Sequence, residues 1–314
     1  MIAARLASWS PVDWAVAAYT AFVAVLVVFC RSAVPEWPLI AAAHAALLLA
    51  MVFASPRGAP WERPRPEAAW RSWTRRTARF FRYTYPAVLL TPFFEEVRYT
   101  VNATSPADPY WFEPYLYAAD LGMFGTVPAV ALSQAGSPLV DQLMHAFYFS
   151  YYPMVIGGIV LAWMGRGRGR ATPGPAFEAT LTATMLGFLF AYVWYPFLPA
   201  RGPWEHAALM SGLREFQGVV FTPLVQWIIG HAAVSGGCFP SAHVSGTWGL
   251  IVGLASAHRR AATWFCVLGL GLAVACVYTR YHHAVDVFAG VAVGLAGGAL
   301  GRVLARPEPR ERTT

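Results

Sequence analysis

The chain has 314 residues, of which 57% are hydrophobic, 15% are aromatic and only 12% are charged. In soluble globular domains about a quarter of the residues are charged, so this composition excludes an ordinary soluble protein and predicts an integral membrane protein. The formal net charge is +7, and every basic residue is an arginine. These arginines lie at the ends of apolar runs, a pattern typical of membrane topology that argues against a nucleic-acid-binding surface.

Apolar runs long enough to cross a hydrocarbon layer of ~30 Å, about 20 residues each, follow one another along the chain. Seven runs are clear, at residues 12–30, 37–53, 139–164, 177–198, 241–257, 262–278 and 284–303. An eighth run, residues 80–94, is weaker because it contains Arg82 and two prolines. The first run lacks a small-residue cleavage site, so we expect a retained helix and not a signal peptide.

The distribution of arginine indicates whether the weak run crosses the membrane. With eight crossings, 18 arginines fall in cytoplasmic segments and five fall outside, as the positive-inside rule requires. With seven crossings, the arginine-rich segments no longer all fall on the cytoplasmic side. The sequence therefore predicts an all-α bundle of about eight transmembrane helices in a bacterial inner or plasma membrane, with both termini in the cytoplasm.

Three regions follow from this pattern. Residues 1–54 contain two predicted N-terminal transmembrane helices. Residues 55–82 contain eight arginines and predict a cytoplasmic interfacial segment that contacts anionic lipid. Residues 83–314 form the remaining membrane domain, in which the Asp-, Glu-, Tyr- and Trp-rich residues 95–138 predict an outer cap.

A polar motif precedes the last apolar run, where residues 278–290 read YTRYHHAVDVFAG. On a helix, His282 and Asp286 lie one turn apart on the same face, so the carboxylate can hold one imidazole nitrogen as N–H and leave the other free as a nucleophile or base. His283 points roughly 100° away, which argues against a His–His metal site. The alternative is a structural histidine that is hydrogen-bonded at the start of a helix.

A second motif lies 39 residues upstream of His282, where residues 237–246 read GCFPSAHVSG. Pro240 predicts the first residue of a helix, which places Ser241 and His243 in the first helical turn. A helix N-terminus binds phosphate readily, and a histidine beside bound phosphate can protonate a departing oxygen. The alternative is an ordinary helix cap in a loop.

Charged residues on the predicted outer face complete this set. Arg280 and Arg201 lie near the two motifs and could make bidentate contacts with phosphate oxygens. Glu95 and Glu96 follow the weak run on the same side, where they form either a site for a polar acceptor or a solvated interfacial cluster. The four cysteines lack metal-ligand spacing, so the sequence predicts no metal centre and no disulfide framework. A single Cys238–Cys276 disulfide is the alternative.

The P-S-A-H run that ends at His243 and the H-x-x-x-D run from His282 to Asp286 together resemble the type 2 phosphatidic acid phosphatase superfamily. The resemblance implies a six-helix core and a reaction without metal or cofactor. It also implies that His282 forms a phosphohistidine, that Asp286 orients it, that His243 protonates the leaving group and that Ser241 binds phosphate.

The chain departs from the superfamily pattern at two places. Cys276 stands where the third motif carries an arginine, which Arg280 could replace, and the first-motif lysine is absent, with residues 199–203, PARGP, in its place. These changes, together with an upstream D-x-x-x-F-G run from Asp120, resemble the branch that includes inositol phosphorylceramide synthases. That branch often places its arginine after Gly-Pro, where this chain has Trp204.

The resemblance implies an enzyme that acts on a lipid phosphate or phosphodiester at the exoplasmic face, with lipid phosphate and membrane lipids as its partners. Water as the acceptor would make it a phosphatase, and a polar alcohol as the acceptor would make it a head-group transferase. A lipid-binding protein without catalysis is the alternative of a different class. The presence of both histidines and the aspartate argues against it.

Overall fold

The computed structural model describes residues 2–54, 69–105, 110–165 and 174–305. The regular elements of these ranges are all helical, which confirms the predicted all-α class. In chain order the helices are α1 (Ile2–Leu6), α2 (Pro11–Phe29), α3 (Trp37–Ala54), α4 (Ala69–Val88), α5 (Leu90–Glu95), α6 (Val97–Thr100), α7 (Glu113–Phe124), α8 (Pro128–Gln134), α9 (Pro138–Phe149), α10 (Tyr151–Met164), α11 (Pro175–Tyr192), α12 (Ala207–Met210), α13 (Phe221–Ala232), α14 (Ala242–Leu254), α15 (Arg259–Tyr278) and α16 (Ala284–Leu304), with a 3-10 turn at Pro203–Glu205.

Four segments of the described chain are long and apolar enough to cross a membrane: α2, the consecutive pair α9 and α10, α15 and α16. The pair α7 and α8 adds a fifth if its two helices, bent by 65° at their junction, count as one span. Helix α3 is apolar, but its apolar part, Trp37–Phe53, is shorter than these spans. The structure therefore supports four or five spans, and the count of eight stays a prediction.

The centre of the bundle is formed by α11, α14 and α16, which pack directly on one another. A Cβ on Gly249 of α14 would lie 2.5 Å from the carbonyl oxygen of Ala183 in α11, and one on Gly294 of α16 would lie 2.4 Å from that of Ser245 in α14. Such close backbone approach requires glycine at both positions and is typical of helix packing in membranes. The three central helices therefore form one tightly packed unit.

Two of these central helices are less membrane-like than the sequence predicts for residues 177–198 and 241–257. Helix α11 ends at Tyr192 and is buried along most of its length, and α14 has only 13 residues. Neither is among the helices that are long and apolar enough to span on their own.

The N-terminal helices join the bundle through a buried carboxylate. Asp13 of α2 accepts a 2.7 Å hydrogen bond from the Tyr85 hydroxyl of α4, and Nη1 of Arg82 lies 3.4 Å from the same carboxylate. The arginine that weakens the predicted run 80–94 thus has a partner within the protein. Helix α4 crosses the predicted boundary between residues 82 and 83 without a break. The rest of the predicted interfacial segment, residues 55–68, and the arginines of 166–170 and 306–312 lie outside the described residues.

Three loops meet at one end of the bundle: the loop after α11, the loop before α14 and the loop before α16. Ala200 forms an isolated parallel bridge with Gly237, and the backbone N–H of Cys238 donates to the Ala200 carbonyl at 3.2 Å. The N–H of Trp204 donates to the Arg280 carbonyl at 2.9 Å. These backbone contacts place the two sequence motifs side by side.

Candidate active site

The pair of His282 and Asp286 lies at the start of α16. His283 is the N-cap residue of this helix, so His282 stands just before it and Asp286 lies in its first turn. Nδ1 of His282 is 2.5 Å from Oδ2 of Asp286, and the two side chains are almost completely buried. Because an ionised carboxylate only accepts hydrogen bonds, this contact holds the proton on Nδ1 and leaves a lone pair on Nε2.

The second motif supplies the groups that face Nε2. Ser241 is the N-cap of α14, where its Oγ accepts the N–H of Val244 at 3.5 Å, and the same Oγ lies 3.3 Å from Nε2 of His282. The ring of His243 lies 5.7 Å from that of His282, centroid to centroid. The helix begins at Ala242, two residues later than the predicted start at Pro240. The structure thus brings four of the six predicted site residues together: Ser241, His243, His282 and Asp286.

Two tyrosines hold His243 in place. The hydroxyl of Tyr148 lies 3.2 Å from Nε2 of His243, and the ring of Tyr151 lies 4.5 Å from the imidazole. Both tyrosines are on the aromatic segment formed by α9 and α10. This packing fixes the ring beside His282.

His243 and His282 open onto a cleft of about 210 Å³. Its walls come from α5, α9, α10 and α13 and from the three loops, and they are mostly apolar and aromatic. The aromatic lining residues are Phe94, Tyr148, Tyr151, Tyr152, Tyr192, Trp204 and Tyr281. Among the described residues that line the cleft, the charged side chains are Glu95 and Glu205, and none is an arginine. The surface beside the histidines therefore suits an apolar or amphipathic ligand.

Arg280, a predicted phosphate ligand, faces away from this cleft. Its backbone has a φ of 66°, in the left-handed region, and the next residue, Tyr281, lines the cleft. The Arg280 side chain is 3% exposed; Nε donates to Oγ of Ser133 at 2.8 Å, and Nη2 donates to the carbonyl of Arg214 at 2.9 Å. The guanidinium also stacks over the ring of Phe216 at 4.4 Å.

Arg201, the other predicted phosphate ligand, is paired with a buried carboxylate. Nε and Nη2 of Arg201 donate to Oε1 of Glu113 at 2.8 and 2.5 Å, and its guanidinium lies 4.4 Å above the ring of Trp111. Glu113 is nearly fully buried and also lies 3.4 Å from Nε2 of His206. In this structure, therefore, neither Arg201 nor Arg280 lies beside His282.

Sequence reasoning missed the role of one face of α7, which holds the loops of the site. Glu113, Tyr117 and Asp120 are spaced by about one and two helical turns and therefore lie on the same side. Asp120 is fully buried and accepts the backbone N–H groups of Ala284 and Val285 at 3.1 and 2.9 Å. This carboxylate caps the helix that carries Asp286. The helical spacing of the three residues was the available signal, but their partners are far away in the sequence.

Cys238 is a second group that the sequence did not predict. Its Sγ donates to Oδ2 of Asp286 at 3.1 Å and lies 3.5 Å from Nδ1 of His282. Burial, together with the negative charge of Asp286, raises the pKa of the thiol, which therefore stays protonated at neutral pH. The cysteine is free in the structure and not bridged to Cys276. Cys238, His282 and Asp286 form a compact group that could hold a metal ion.

The two glutamates after the weak apolar run have different environments. Glu95 lines the cleft and is paired with Arg98. Glu96 is directed into the bundle, where Nε2 of His44 lies 3.1 Å from its Oε2. Of this pair, only Glu95 is placed to contact a ligand in the cleft.

Comparison with known proteins relates this geometry to one family. A family model described as the PAP2 superfamily matches residues 115–300, which contain both motifs and helices α8 to α15 in full. No curated protein and no solved structure matches the chain.

Proposed function

Because the chain belongs to the PAP2 superfamily, a phosphatase and phosphotransferase family, we propose that it is an integral membrane lipid phosphatase whose nucleophile is His282. The observation that supports this proposal most directly is the orientation of the imidazole. Asp286 holds Nδ1 at 2.5 Å, so Nε2 keeps its lone pair on the side of Ser241 and His243. A nucleophile held in one tautomer by a carboxylate is a recurring solution in group-transfer enzymes.

The proposed reaction has two steps. Nε2 of His282 attacks the phosphorus of a lipid phosphate or phosphodiester, the bond to the leaving oxygen breaks, and His243 in its protonated form gives that oxygen a proton. Neutral His243 then accepts a proton from water as the water attacks the phosphohistidine. This step releases phosphate, or a phosphate monoester when the substrate is a phosphodiester, and it frees His282 and restores the protonated form of His243. Proton transfer by a placed histidine contributes typically ~10²–10⁴ in rate.

The phosphate oxygens need hydrogen-bond donors in this site. Ser241 and the backbone amides of the first turn of α14 are the nearest candidates. The N-terminus of a helix carries N–H groups without helical partners and a partial positive charge. Arg201 and Arg280 remain proposed ligands. To bind phosphate directly, they would have to exchange Glu113 and Ser133 for phosphate oxygens.

We place the cleft at the exoplasmic face, with both termini in the cytoplasm. The support is the arginine distribution, with 18 arginines on the predicted inner side and five on the outer side. This topology presents the cleft to lipid head groups of the outer leaflet. Its apolar walls suit the part of the lipid next to the phosphate.

A head-group transferase is the second candidate. The observation that favours it is Glu95 on the cleft wall, because a carboxylate there can accept hydrogen bonds from an alcohol. An alcohol bound beside the phosphohistidine would replace water as the acceptor. The inositol phosphorylceramide synthase type of reaction belongs to this class.

The deciding experiment uses purified protein in detergent with EDTA. Labelled phosphatidic acid, an isoprenyl diphosphate, and phosphatidylinositol with ceramide are offered separately, and the products are resolved. Free phosphate from either of the first two supports the phosphatase, and a new phosphoinositol lipid supports the transferase. The matched control is His231→Ala, an exposed histidine on α13. Turnover by His282→Ala equal to that of the wild type would refute the mechanism and favour a lipid-binding protein.

A further inference from the structure

Three different metal-binding atoms converge behind the nucleophile. Sγ of Cys238, Nδ1 of His282 and Oδ2 of Asp286 all lie within 4.8 Å of one another, and all three residues are buried. The second carboxylate oxygen of Asp286, Oδ1, is also buried and has no hydrogen-bond partner among the described residues. A thiolate, an imidazole and a carboxylate form a donor set that zinc prefers.

We propose that Cys238, His282 and Asp286 form an inhibitory zinc site. The site itself depends only on these three side chains, whereas the inhibition rests on the proposed role of His282 as nucleophile. Zinc has no part in the phosphoryl-transfer reaction. It binds the side of the imidazole that the reaction does not use.

The geometry needs only a small adjustment to accept the ion. Zinc binds sulfur at ~2.3 Å and nitrogen or oxygen at ~2.0–2.2 Å, so tetrahedral ligand atoms lie about 3.3–3.6 Å apart. The distance from Sγ to Nδ1 is 3.5 Å and that from Sγ to Oδ2 is 3.1 Å. The 2.5 Å contact between Nδ1 and Oδ2 must widen by about 1 Å, and the 3.1 Å contact between Sγ and Oδ2 by about 0.4 Å. Oδ1 or a water molecule supplies the fourth ligand.

Inhibition follows from the position of one proton. In the reactive tautomer Nδ1 carries the proton and Nε2 carries the lone pair. Zinc binds Nδ1 through the electron pair that held the proton there. A neutral imidazole must then carry its proton on Nε2, which can no longer attack phosphorus. The thiol of Cys238 loses its proton to solvent as zinc binds, because a coordinated thiol is deprotonated. The balance is one zinc ion bound, one proton released and one proton moved from Nδ1 to Nε2.

The ion has a route to this site from solution. Cys238 and His282 both line the open cleft, on the same wall as His243. A bound phosphate substrate faces Nε2 and leaves Nδ1 uncovered. Zinc therefore lowers the number of active molecules and does not displace the substrate, so kcat falls while KM changes little.

The test uses the full-length protein in detergent after removal of metals with EDTA and exchange of the buffer. Buffered Zn²⁺ is titrated, bound zinc is measured by a competing chromophoric chelator, and Co²⁺ is used as a spectroscopic substitute. We expect one zinc per chain and a thiolate-to-cobalt charge-transfer band. Cys238→Ser is expected to weaken zinc binding by more than the ~10–100-fold that follows loss of an outer-shell partner. The matched control Cys266→Ser, on α15, keeps wild-type affinity.

The outcomes separate the site from its effect. The proposed site is overturned if Cys238→Ser leaves the zinc affinity unchanged. It is also overturned if cobalt bound to the wild type shows no thiolate band. The cobalt spectrum needs only wild-type protein, so it decides the matter even if the variant does not fold. Zinc that binds at Cys238 without lowering kcat overturns the inhibition. If no lipid phosphate is turned over at all, the proposed function fails, and the binding measurements still decide whether the site exists.

Discussion

Asp120 holds both backbone amides at the start of α16, and Asp120→Asn tests how far the site depends on this cap. An asparagine keeps one carbonyl oxygen but places an NH₂ group opposite the second amide. One buried N–H then loses its acceptor, which costs ~1–3 kcal/mol. The helix end also loses a carboxylate charge, which contributes ~0.3–2 kcal/mol near a helix N-terminus. Together we expect a loss of about 1–5 kcal/mol in the free energy of unfolding.

The same change is expected to lower activity, because the capped helix carries Asp286 and follows directly after His282. A displacement of about 1 Å at a reacting group can cost ~10² in rate. The assay compares the denaturant midpoint in detergent and kcat on lipid phosphate for Asp120→Asn, with Glu36→Gln as a control at an exposed carboxylate. A variant with the wild-type midpoint and wild-type kcat would refute the assignment of Asp120 as the cap that positions the site.

His243→Ala is expected to lower kcat on a lipid phosphate by ~10²–10⁴. With a nitrophenyl phosphate, whose leaving group needs no proton, most of the loss in the rate of phosphohistidine formation, measured as the burst of nitrophenolate, should vanish. Equal losses on both substrates would contradict its role as the acid. Arg201→Met removes the guanidinium that pairs with the buried Glu113 carboxylate, so thermal unfolding in detergent should show a loss of up to ~3–5 kcal/mol. Adding Glu113→Gln should restore most of that stability, and additive effects would contradict the pairing. Gly294→Ala forces a Cβ against a carbonyl of α14 and should cost ~1–3 kcal/mol in the same measurement. Gly122→Ala, where a Cβ meets nothing within 4 Å, is its control, and equal stability of the two variants would contradict the close packing.

The parts of the structure that the sequence predicted well depend on short-range spacing. His282 contacts Asp286 across the predicted separation of four residues, although His282 itself precedes the helix. Ser241 lies at the predicted start of α14, as its N-cap and not in its first turn. The all-helical class follows from the long apolar runs. Local rules suffice for these features because each one is decided within a few turns of helix.

The partners of the two arginines could not be predicted in this way. Arg201 pairs with Glu113, 88 residues away, and Arg280 donates to Ser133, 147 residues away. A charged residue near a motif can face the site or turn from it, and only the tertiary packing decides between the two. The left-handed backbone at Arg280 is such a case, since no spacing rule indicates it.

The predicted number of eight spans is not confirmed, since by length and hydropathy the described residues contain four or five. Hydropathy reports how well a segment tolerates an apolar environment, but it does not distinguish lipid from the interior of a helix bundle. Helices α11 and α14 are apolar because protein surrounds them.

The glycine contacts between α14 and α16 have a mechanical consequence. His243 is at the start of one of these helices and His282 immediately precedes the other, so both are carried by the same interlocked pair. A change in bilayer thickness tilts outer helices at a cost of only fractions of a kcal/mol per Å of mismatch, but it cannot easily separate two backbones in direct contact. The spacing of the two histidines is thus insulated from the host membrane. The width of the cleft is not, because α5 and α13 form its other walls, and lipid composition would therefore alter which substrates enter before it alters the chemistry.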